Sequence, residues 1–242
     1  GYGGFLITVD GANGSHLDPA YFRQAKPFFG LTDHGIEYMS DKFFRLYGAA
    51  IEEGRKDGLS SFVLYDDYNY PTGNLCGELY EKYPQYMAKR LDMVDEDVTG
   101  PAKVDLAIPE GTYIGAIAMN RATFQRTDIS DRRTDKGRLH YKAPQGNWKV
   151  MVFYLNHKAV LKIRNPGLVD YLDDDAMNMF LKLSYQRFYD HFKQYFGNFI
   201  KMSFYDEPSM HWLDGRMWTA SFNRKFQQKY GYSPMNYYPA LW

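Results

Sequence analysis

The segment FIKMSFYDEP, residues 199 to 208, places two adjacent acids and a proline directly behind an apolar run. A short apolar run of this kind predicts a buried β-strand. Isolated buried charge is costly, so Asp206 and Glu207 are expected either to face solvent in a loop or to take part in chemistry. The ends of the other strands decide between these two possibilities.

Three further apolar runs are also followed by polar side chains. They predict strands at residues 4–10, 61–65 and 147–155. The polar groups at or just after their ends are Asp10, Asp66 with Asp67, and His157. Strands that alternate with helices predict a parallel sheet with right-handed crossovers, and ligands collect at the carboxyl ends of such strands. If the sheet curves into a barrel, all four groups lie on one rim.

The helices and the middle of the chain complete this prediction. Helical spacing of apolar residues predicts helices at residues 41–57, 78–93 with a break near Pro84, 175–196 and 219–230. Residues 101–146 lack a helical period and predict an inserted β-rich subdomain. We therefore expect the first β/α units at residues 1–100 and further units of the same barrel at residues 147–242.

Composition excludes several classes of protein. The 29 basic and 29 acidic side chains cancel, so no nucleic-acid partner is expected. No apolar run is long enough to span a membrane, and one cysteine excludes an internal disulfide. Motifs of serine hydrolases, dinucleotide enzymes and zinc proteases are absent from the sequence. The 18% aromatic content fits either recognition of a ring-shaped ligand or packing of a large core.

Four ordered segments carry a resemblance to a known family. They are GYGGFLI (1–7), YDDYNYPTGNLCGE (65–78), GRLHYKAPQGNWKVMVFY (137–154) and VDYLDDDAMNMFLKLSYQRFYDHFKQYFGNFIKMSFYDEPS (169–209). Together they resemble glycoside hydrolase family 106, the α-L-rhamnosidases and their relatives. The resemblance implies a (β/α)8 TIM-barrel-type fold, hydrolysis of α-L-rhamnosides with inversion, and a calcium ion as cofactor.

The sequence departs from this family in two places. The first strand ends in TVDGANGSHL (8–17), where an arginine-containing loop is expected, which bears on the sugar recognised. About four β/α units are visible, whereas a closed barrel needs eight. The resemblance therefore implies a partial barrel, its N-terminal half, with the remaining half or a homodimer covering the open edges. The start Gly1-Tyr-Gly-Gly has no basic signal-peptide segment; a periplasmic or secreted location is favoured for the family.

Glycoside hydrolysis requires two carboxyl groups, one of which protonates the leaving oxygen. Glu207 is the candidate acid, because its Asp-Glu-Pro motif is similar to the Asn-Glu-Pro of many barrel glycosidases. Asp206 and the aromatic side chains of Tyr205 and Trp212 are the neighbours that can keep it protonated. The alternative is an acid that caps the turn after the strand.

The other candidate residues are predicted to contact the substrate. Asp66, Asp67 and Asn69 can bind sugar hydroxyls or supply the oxygen ligands that calcium prefers, or they can simply form a turn. Tyr70 and Trp212 can pack against a sugar ring or belong to the core. His157 can donate a hydrogen bond to a sugar hydroxyl or be a structural residue. Asp10 is the last candidate for contact with a ligand.

Two functions follow from these observations. The first is a glycoside hydrolase that cleaves α-L-rhamnosyl or related bonds, with a carbohydrate as its substrate. The second is a non-catalytic carbohydrate-binding or scaffold protein built on a degenerate half barrel.

Overall fold

The chain forms two compact units. The computed structural model describes residues 2–8, 38–67, 71–73, 75–159 and 167–242, apart from the side chain of Cys76. The first unit consists of Gly1–Ala88 and Val160–Trp212, and the second of Lys89–Ala159 and Leu213–Trp242. Within the described residues, no helix is both long and apolar enough to cross a membrane.

Helices and strands alternate in the first part of the chain, and strands dominate its middle. In chain order the elements are β1 (Gly4–Leu6), α1 (Asp41–Lys56), β2 (Ser61–Tyr65), α2 (Glu78–Lys82), β3 (Lys89–Ala107), β4 (Thr112–Asn120), β5 (Arg126–Asp128), β6 (Arg138–Asn156), α3 (Asp174–Leu183), α4 (Tyr185–Phe192), β7 (Ile200–Phe204), β8 (Arg216–Trp218) and α5 (Phe222–Tyr230). Short 3-10 turns lie at Leu75–Gly77, Pro84–Tyr86, Ser130–Arg132, Lys193–Tyr195, Met210–Trp212 and Met235–Leu241.

The first unit contains a parallel sheet of order β1-β2-β7. Helices α1 and α4 pack on it through aromatic side chains, with Tyr47 of α1 5.4 Å from Phe62 of β2 between ring centroids. Phe44 of α1 and Phe188 of α4 make a similar edge contact at 5.5 Å. Such pairs stabilise a core beyond the area that they bury. Much of the aromatic content of this unit therefore serves core packing.

Polar side chains set the ends of these helices. Ser40 precedes α1 and caps it, because its hydroxyl accepts a hydrogen bond from the Phe43 N–H at 3.2 Å. The helix predicted at residues 175–196 is divided at Ser184, a buried residue whose hydroxyl donates to the carbonyl oxygen of Asp66. That bond connects the break to the end of β2.

The second unit is an antiparallel sheet of order β5-β4-β6-β3-β8. Strands β3 and β6 have 19 residues each and pair along their whole length, with a register shift between Gly100 and Ala102. One face of β6 buries Val150 and Val152, and the other buries Met151 and Phe153. The second face is covered by the C-terminal segment, where Tyr238 lies 5.2 Å from Phe153 between ring centroids.

The prediction of a partial (β/α)8 TIM barrel with about four β/α units is wrong. Among the described residues three strands are parallel, and the other five form the antiparallel sheet. The predicted barrel strand at 147–155 is the second half of β6 and pairs antiparallel with β3 and β4. It is apolar on both faces because packed residues cover both sides of the antiparallel sheet, an arrangement that also produces the pattern of a parallel strand.

The helix predicted at 78–93 is also wrong in its second half. Helix α2 ends at Lys82, and the chain enters β3 at Lys89. Pro84 begins a 3-10 turn at this point, consistent with the cost of proline inside a helix.

Candidate active site

The carboxyl ends of β2 and β7 lie side by side in the first unit. Tyr65, the last residue of β2, pairs in register with Phe204, the last residue of β7. Asp66 and Asp67 therefore follow one strand, while Asp206 and Glu207 follow its parallel neighbour. The structure thus brings together two of the four polar groups that the sequence places at strand ends.

The structure describes only some of the other predicted site residues. Asp10, Asn69 and Tyr70 lie outside the described residues. His157 belongs to the second unit, where its Nε2 and the Thr112 hydroxyl are in hydrogen-bond contact at 2.9 Å. Partial burial, and then the positive charge of Lys89, lower the pKa of His157. Its predicted role toward a substrate stays a prediction.

Thr72 connects the two strand ends. Its hydroxyl donates to Asp66 Oδ1 at 3.2 Å and accepts from the Asp206 N–H at 3.0 Å. The Thr72 N–H in turn donates to the Asp206 carbonyl oxygen at 2.7 Å. The hydroxyl of Tyr171 donates to the Thr72 carbonyl oxygen. The loop after β2 is thereby tied to the loop after β7 through one fully buried side chain.

Asp206 is held on both its backbone and its side chain. In addition to the two contacts with Thr72, its Oδ2 accepts a hydrogen bond from the Tyr65 hydroxyl at 2.8 Å. Burial and this bond to Asp206 raise the pKa of Tyr65, so the tyrosine remains the proton donor. Asp206 itself is half-buried.

Glu207 is exposed and has an unusual backbone conformation. Its φ is +48°, in the left-handed region that residues other than glycine rarely adopt. Such a conformation costs about 1–3 kcal/mol and persists only where the surroundings impose it. Here two hydrogen bonds with Thr72 hold Asp206, the residue before Glu207. The residue after it is Pro208, whose ring fixes its own backbone angle φ. The exposed carboxyl group therefore sits on a constrained turn.

Asp67 acts as a structural brace. It is buried, and its two carboxylate oxygens accept from the N–H groups of Gly73 at 2.6 Å and Leu75 at 2.8 Å. These bonds hold the loop that carries Thr72. The geometry agrees with the turn-forming alternative for Asp67, and contact with a sugar is not supported for this side chain.

Asp66 is closed to solvent, and its carboxyl group is incompletely paired. Among the described residues no donor reaches its Oδ2 with hydrogen-bond geometry. Burial first, and then the charge of Asp67, raise the pKa of Asp66 to about 7. The hydroxyl of Tyr185 is close enough to interact with this carboxyl group, and burial of the tyrosine raises its own pKa to about 12. Near neutral pH, Asp66 is therefore a buried acid that exchanges its proton.

Trp212 lies in the 3-10 turn at Met210–Trp212, five residues after Glu207. Its ring centroid is 4.4 Å from that of His211, and its buried indole N–H has no partner among the described residues. Contact with a sugar stays a prediction for Trp212.

The calcium ion implied by the resemblance finds no fitting set of ligands in the described part of the chain. No group of three or more His, Cys, Asp or Glu residues there is arranged to hold a metal ion. Calcium takes six to eight oxygen ligands, whereas both Asp67 oxygens are bound to backbone N–H groups. We therefore assign no calcium ligands and no chemistry to such an ion.

Thr72, Tyr65, Tyr185 and Ser184 are the members of this network that sequence reasoning missed. Thr72 lies in the quoted Pro-Thr-Gly segment, and its distance of six residues from Asp66 is the one available signal. Tyr65 directly precedes the acids, but a chain with 22 tyrosines offers many such neighbours. The contacts across β2 and β7 depend on tertiary pairing, which local sequence does not specify.

A solved structure shares this fold. No family model and no curated protein sequence matches the chain. The structure of the rhamnosidase from Novosphingobium sp. PP1Y matches 99% of this chain with a TM-score of 0.63 and 11% sequence identity. The fold is rhamnosidase-like. This chain spans 41% of the length of that rhamnosidase chain.

The protonation of Asp66 predicts a specific pH dependence of stability. Its pKa rises on folding from 3.8 to about 7, so the folded state binds the proton more tightly. The resulting stabilisation is complete below about pH 4 and is lost as the pH rises to about 7, by up to about 1.4 kcal/mol per pH unit. We expect Asp66→Asn, which cannot titrate, to lack this component and to gain stability relative to the wild type over that range.

Urea denaturation of both proteins at each pH from 4 to 8 measures the effect. The difference between the two free energies of unfolding isolates Asp66 from the other titrating groups. A difference that stays constant from pH 4 to pH 8 contradicts the raised pKa.

Thr72→Val is expected to lower the free energy of unfolding by about 2–3 kcal/mol. It removes the hydroxyl that joins Asp66 to the Asp206 N–H and leaves both groups without that partner. Thr72→Ser keeps the hydroxyl and is the matched control, with an expected loss of about 1 kcal/mol for one buried methyl group. Equal losses in both variants, measured by urea denaturation, contradict the bridging role.

Proposed function

We propose that this chain forms part of the catalytic region of a glycoside hydrolase that cleaves α-L-rhamnosyl or related bonds. The observation that carries the proposal is the position of Asp206 and Glu207 at the carboxyl end of β7, beside the acids that follow β2. In parallel sheets ligands bind at these ends. The fold similarity to a rhamnosidase supports the substrate class, and the ordered motifs support family 106.

Glu207 is proposed as the proton donor to the leaving oxygen. It is the exposed carboxyl group of the cluster, so it can reach a bound glycoside without opening the core. Its strained turn holds it in place, which favours a reaction that depends on a positioned acid. Asp206 is proposed to line the same site, positioned by Tyr65 and Thr72.

The second catalytic carboxyl group is neither Asp66 nor Asp67 in this proposal. A base that activates water, or a nucleophile, must contact the substrate or that water. Both aspartates are closed to solvent. Asp66 is instead proposed to change the negative charge next to Asp206, because protonation of Asp66 near neutral pH removes one of the neighbouring negative charges. Asp10, Asn69, Tyr70 and Trp212 remain proposed substrate contacts.

A screen of aryl glycosides tests the function. The chain, and a longer protein that contains it, are assayed with aryl α-L-rhamnoside first and other aryl glycosides next, each with calcium and with a chelator. Hydrolysis of the α-L-rhamnoside above the rate with the other sugars supports the proposal. No hydrolysis of any aryl glycoside by either protein contradicts it.

A specific observation favours the alternative of a carbohydrate-binding or scaffold protein. Two of the four clustered acids are buried, and one of them is fully used in bracing a turn. A protein of this second kind is expected to bind a rhamnoside by calorimetry with unchanged affinity in Glu207→Gln and to release no product.

A further inference from the structure

A cleft of about 660 Å³ lies in the second unit. Strands β3 and β6 and the turn that ends at Arg132 form its walls. Its lining residues are Lys103, Val104, Asp105, Arg132, His140 and Tyr141 with Lys142. Small-molecule sites commonly have volumes of about 300–1,000 Å³, so this cleft has the size for a ligand of one to a few sugar rings.

Two lysines lie side by side in the strands that line this cleft. Lys103 of β3 and Lys142 of β6 are direct partners in the antiparallel register. Like charges at directly opposed positions destabilise a sheet. Neither lysine forms an ion pair with any described residue. The fold therefore carries a repulsive pair that a bound anion can compensate.

The acid that lines the cleft does not neutralise these lysines. Asp105 is bound by Arg138, whose Nε lies 2.5 Å from Oδ1, and by His140, whose Nε2 lies 3.0 Å from the same oxygen. Arg138 lowers the pKa of Asp105, which keeps it ionised. Arg132 has an exposed partner in Asp131 at 3.4 Å, a kind of pair that contributes little. The cleft is therefore positively charged although the net charge of the chain is zero.

We propose that this cleft binds an anionic carbohydrate, an oligosaccharide with carboxylate groups that lie between Lys103 and Lys142. The charge of the ligand follows from the two opposed lysines, which extend from the same face of the sheet. The carbohydrate class rests on the proposed glycosidase function. The cleft then serves to recognise an acidic part of the glycan.

Calorimetric titration with trigalacturonate tests this site. The matched ligand is its fully methyl-esterified form, which has the same rings without charge, and inorganic phosphate serves as the free anion. We expect the double variant Lys103→Gln/Lys142→Gln to bind trigalacturonate at least about tenfold more weakly than the wild type. Its thermal midpoint is expected to be equal to or above that of the wild type, because a repulsive pair is removed.

The control variant is Lys42→Gln/Lys182→Gln, which removes the same charge from two exposed positions on α1 and α3. It is expected to bind trigalacturonate like the wild type. Glu207→Gln is expected to keep the same affinity for trigalacturonate, so failure of the proposed hydrolysis can be distinguished from failure of binding at the cleft. Equal affinity for the methyl ester, an equal loss in the control variant, or phosphate binding as tight as that of trigalacturonate each overturns the proposal. No binding of trigalacturonate by the wild type also overturns it.

Discussion

Glu207→Gln is expected to lower kcat/KM for phenyl α-L-rhamnoside by at least about 100-fold, because general acid catalysis typically contributes about 10²–10⁴-fold. Glutamine preserves the size and the hydrogen-bonding capacity of the side chain but cannot give up a proton. It also tolerates the φ of +48° no worse than glutamate does. The loss is therefore expected in kcat, with thermal stability close to that of the wild type.

The leaving group separates proton donation from other roles of Glu207. A 2,4-dinitrophenyl leaving group departs without protonation, so the activity of Glu207→Gln on that rhamnoside is expected to fall far less than on the phenyl rhamnoside. Glu53→Gln is the control, because it makes the same change at an exposed position of α1, where Glu53 pairs with Lys56 at 3.0 Å. Equal losses with both leaving groups contradict the role of proton donor.

The sequence specified the local features of the first unit well. The apolar runs at 61–65 and 199–205 correspond to β2 and β7, and the periodic pattern at 41–57 corresponds to α1. The prediction that the strand at 199–205 is buried is wrong for most of β7, because the residues after Ile200 in this strand are exposed. The sequence predicts that the acids after these two strands share one rim with Asp10 and His157. The direct pairing of β2 with β7, which brings their carboxyl ends together, is an observation of the structure. The assignment of the acids as site residues stays a prediction.

Strand pairing was not predictable to the same degree. The run at 147–155 is apolar on both faces, and this pattern is equally compatible with a parallel barrel strand and with a covered antiparallel one. Its partners at 89–100 were assigned partly to a helix, because the alternation in KRLDMVDED is interrupted by charges on the half-exposed side. The sheet to which the run at 147–155 belongs is decided by the pairing of β6 with β3, which is distant in sequence. Local β-propensity carries little information about such pairing.

The different roles of Asp66 and Asp67 also could not be predicted from the local sequence. As neighbours on an extended segment they have similar sequence contexts, yet Asp67 binds two backbone N–H groups and Asp66 does not. The difference arises from the return of the chain at Gly73, where φ is +120° and a Cβ would meet Val169 at 2.7 Å. A glycine is required at this close approach, which lets its N–H reach Asp67.

Asp67→Asn is expected to lower the free energy of unfolding by about 3–5 kcal/mol, because hydrogen bonds to a charged acceptor contribute about 1.5–3 kcal/mol each. An amide has one oxygen, so it can accept from Gly73 or from Leu75 but presents an NH₂ group to the other N–H. The substitution also removes the charge that helps to raise the pKa of Asp66. That relief offsets part of the loss at high pH.

Urea denaturation at pH 5 and at pH 8 separates these two contributions. The loss of unfolding free energy is expected to be larger at pH 5, where Asp66 is protonated and little repulsion between the two aspartates remains to be relieved. The pH dependence of stability that Asp66 causes is expected to shift to lower pH. Asp190→Asn, at an exposed position of α4 where the side chain accepts from Gln186, is the control and should change stability by less than about 0.5 kcal/mol. A similarly small change in Asp67→Asn contradicts the bracing role. If Asp67 does hold the loop, its loss also loosens Thr72, and through Thr72 the backbone of Asp206 before the turn at Glu207.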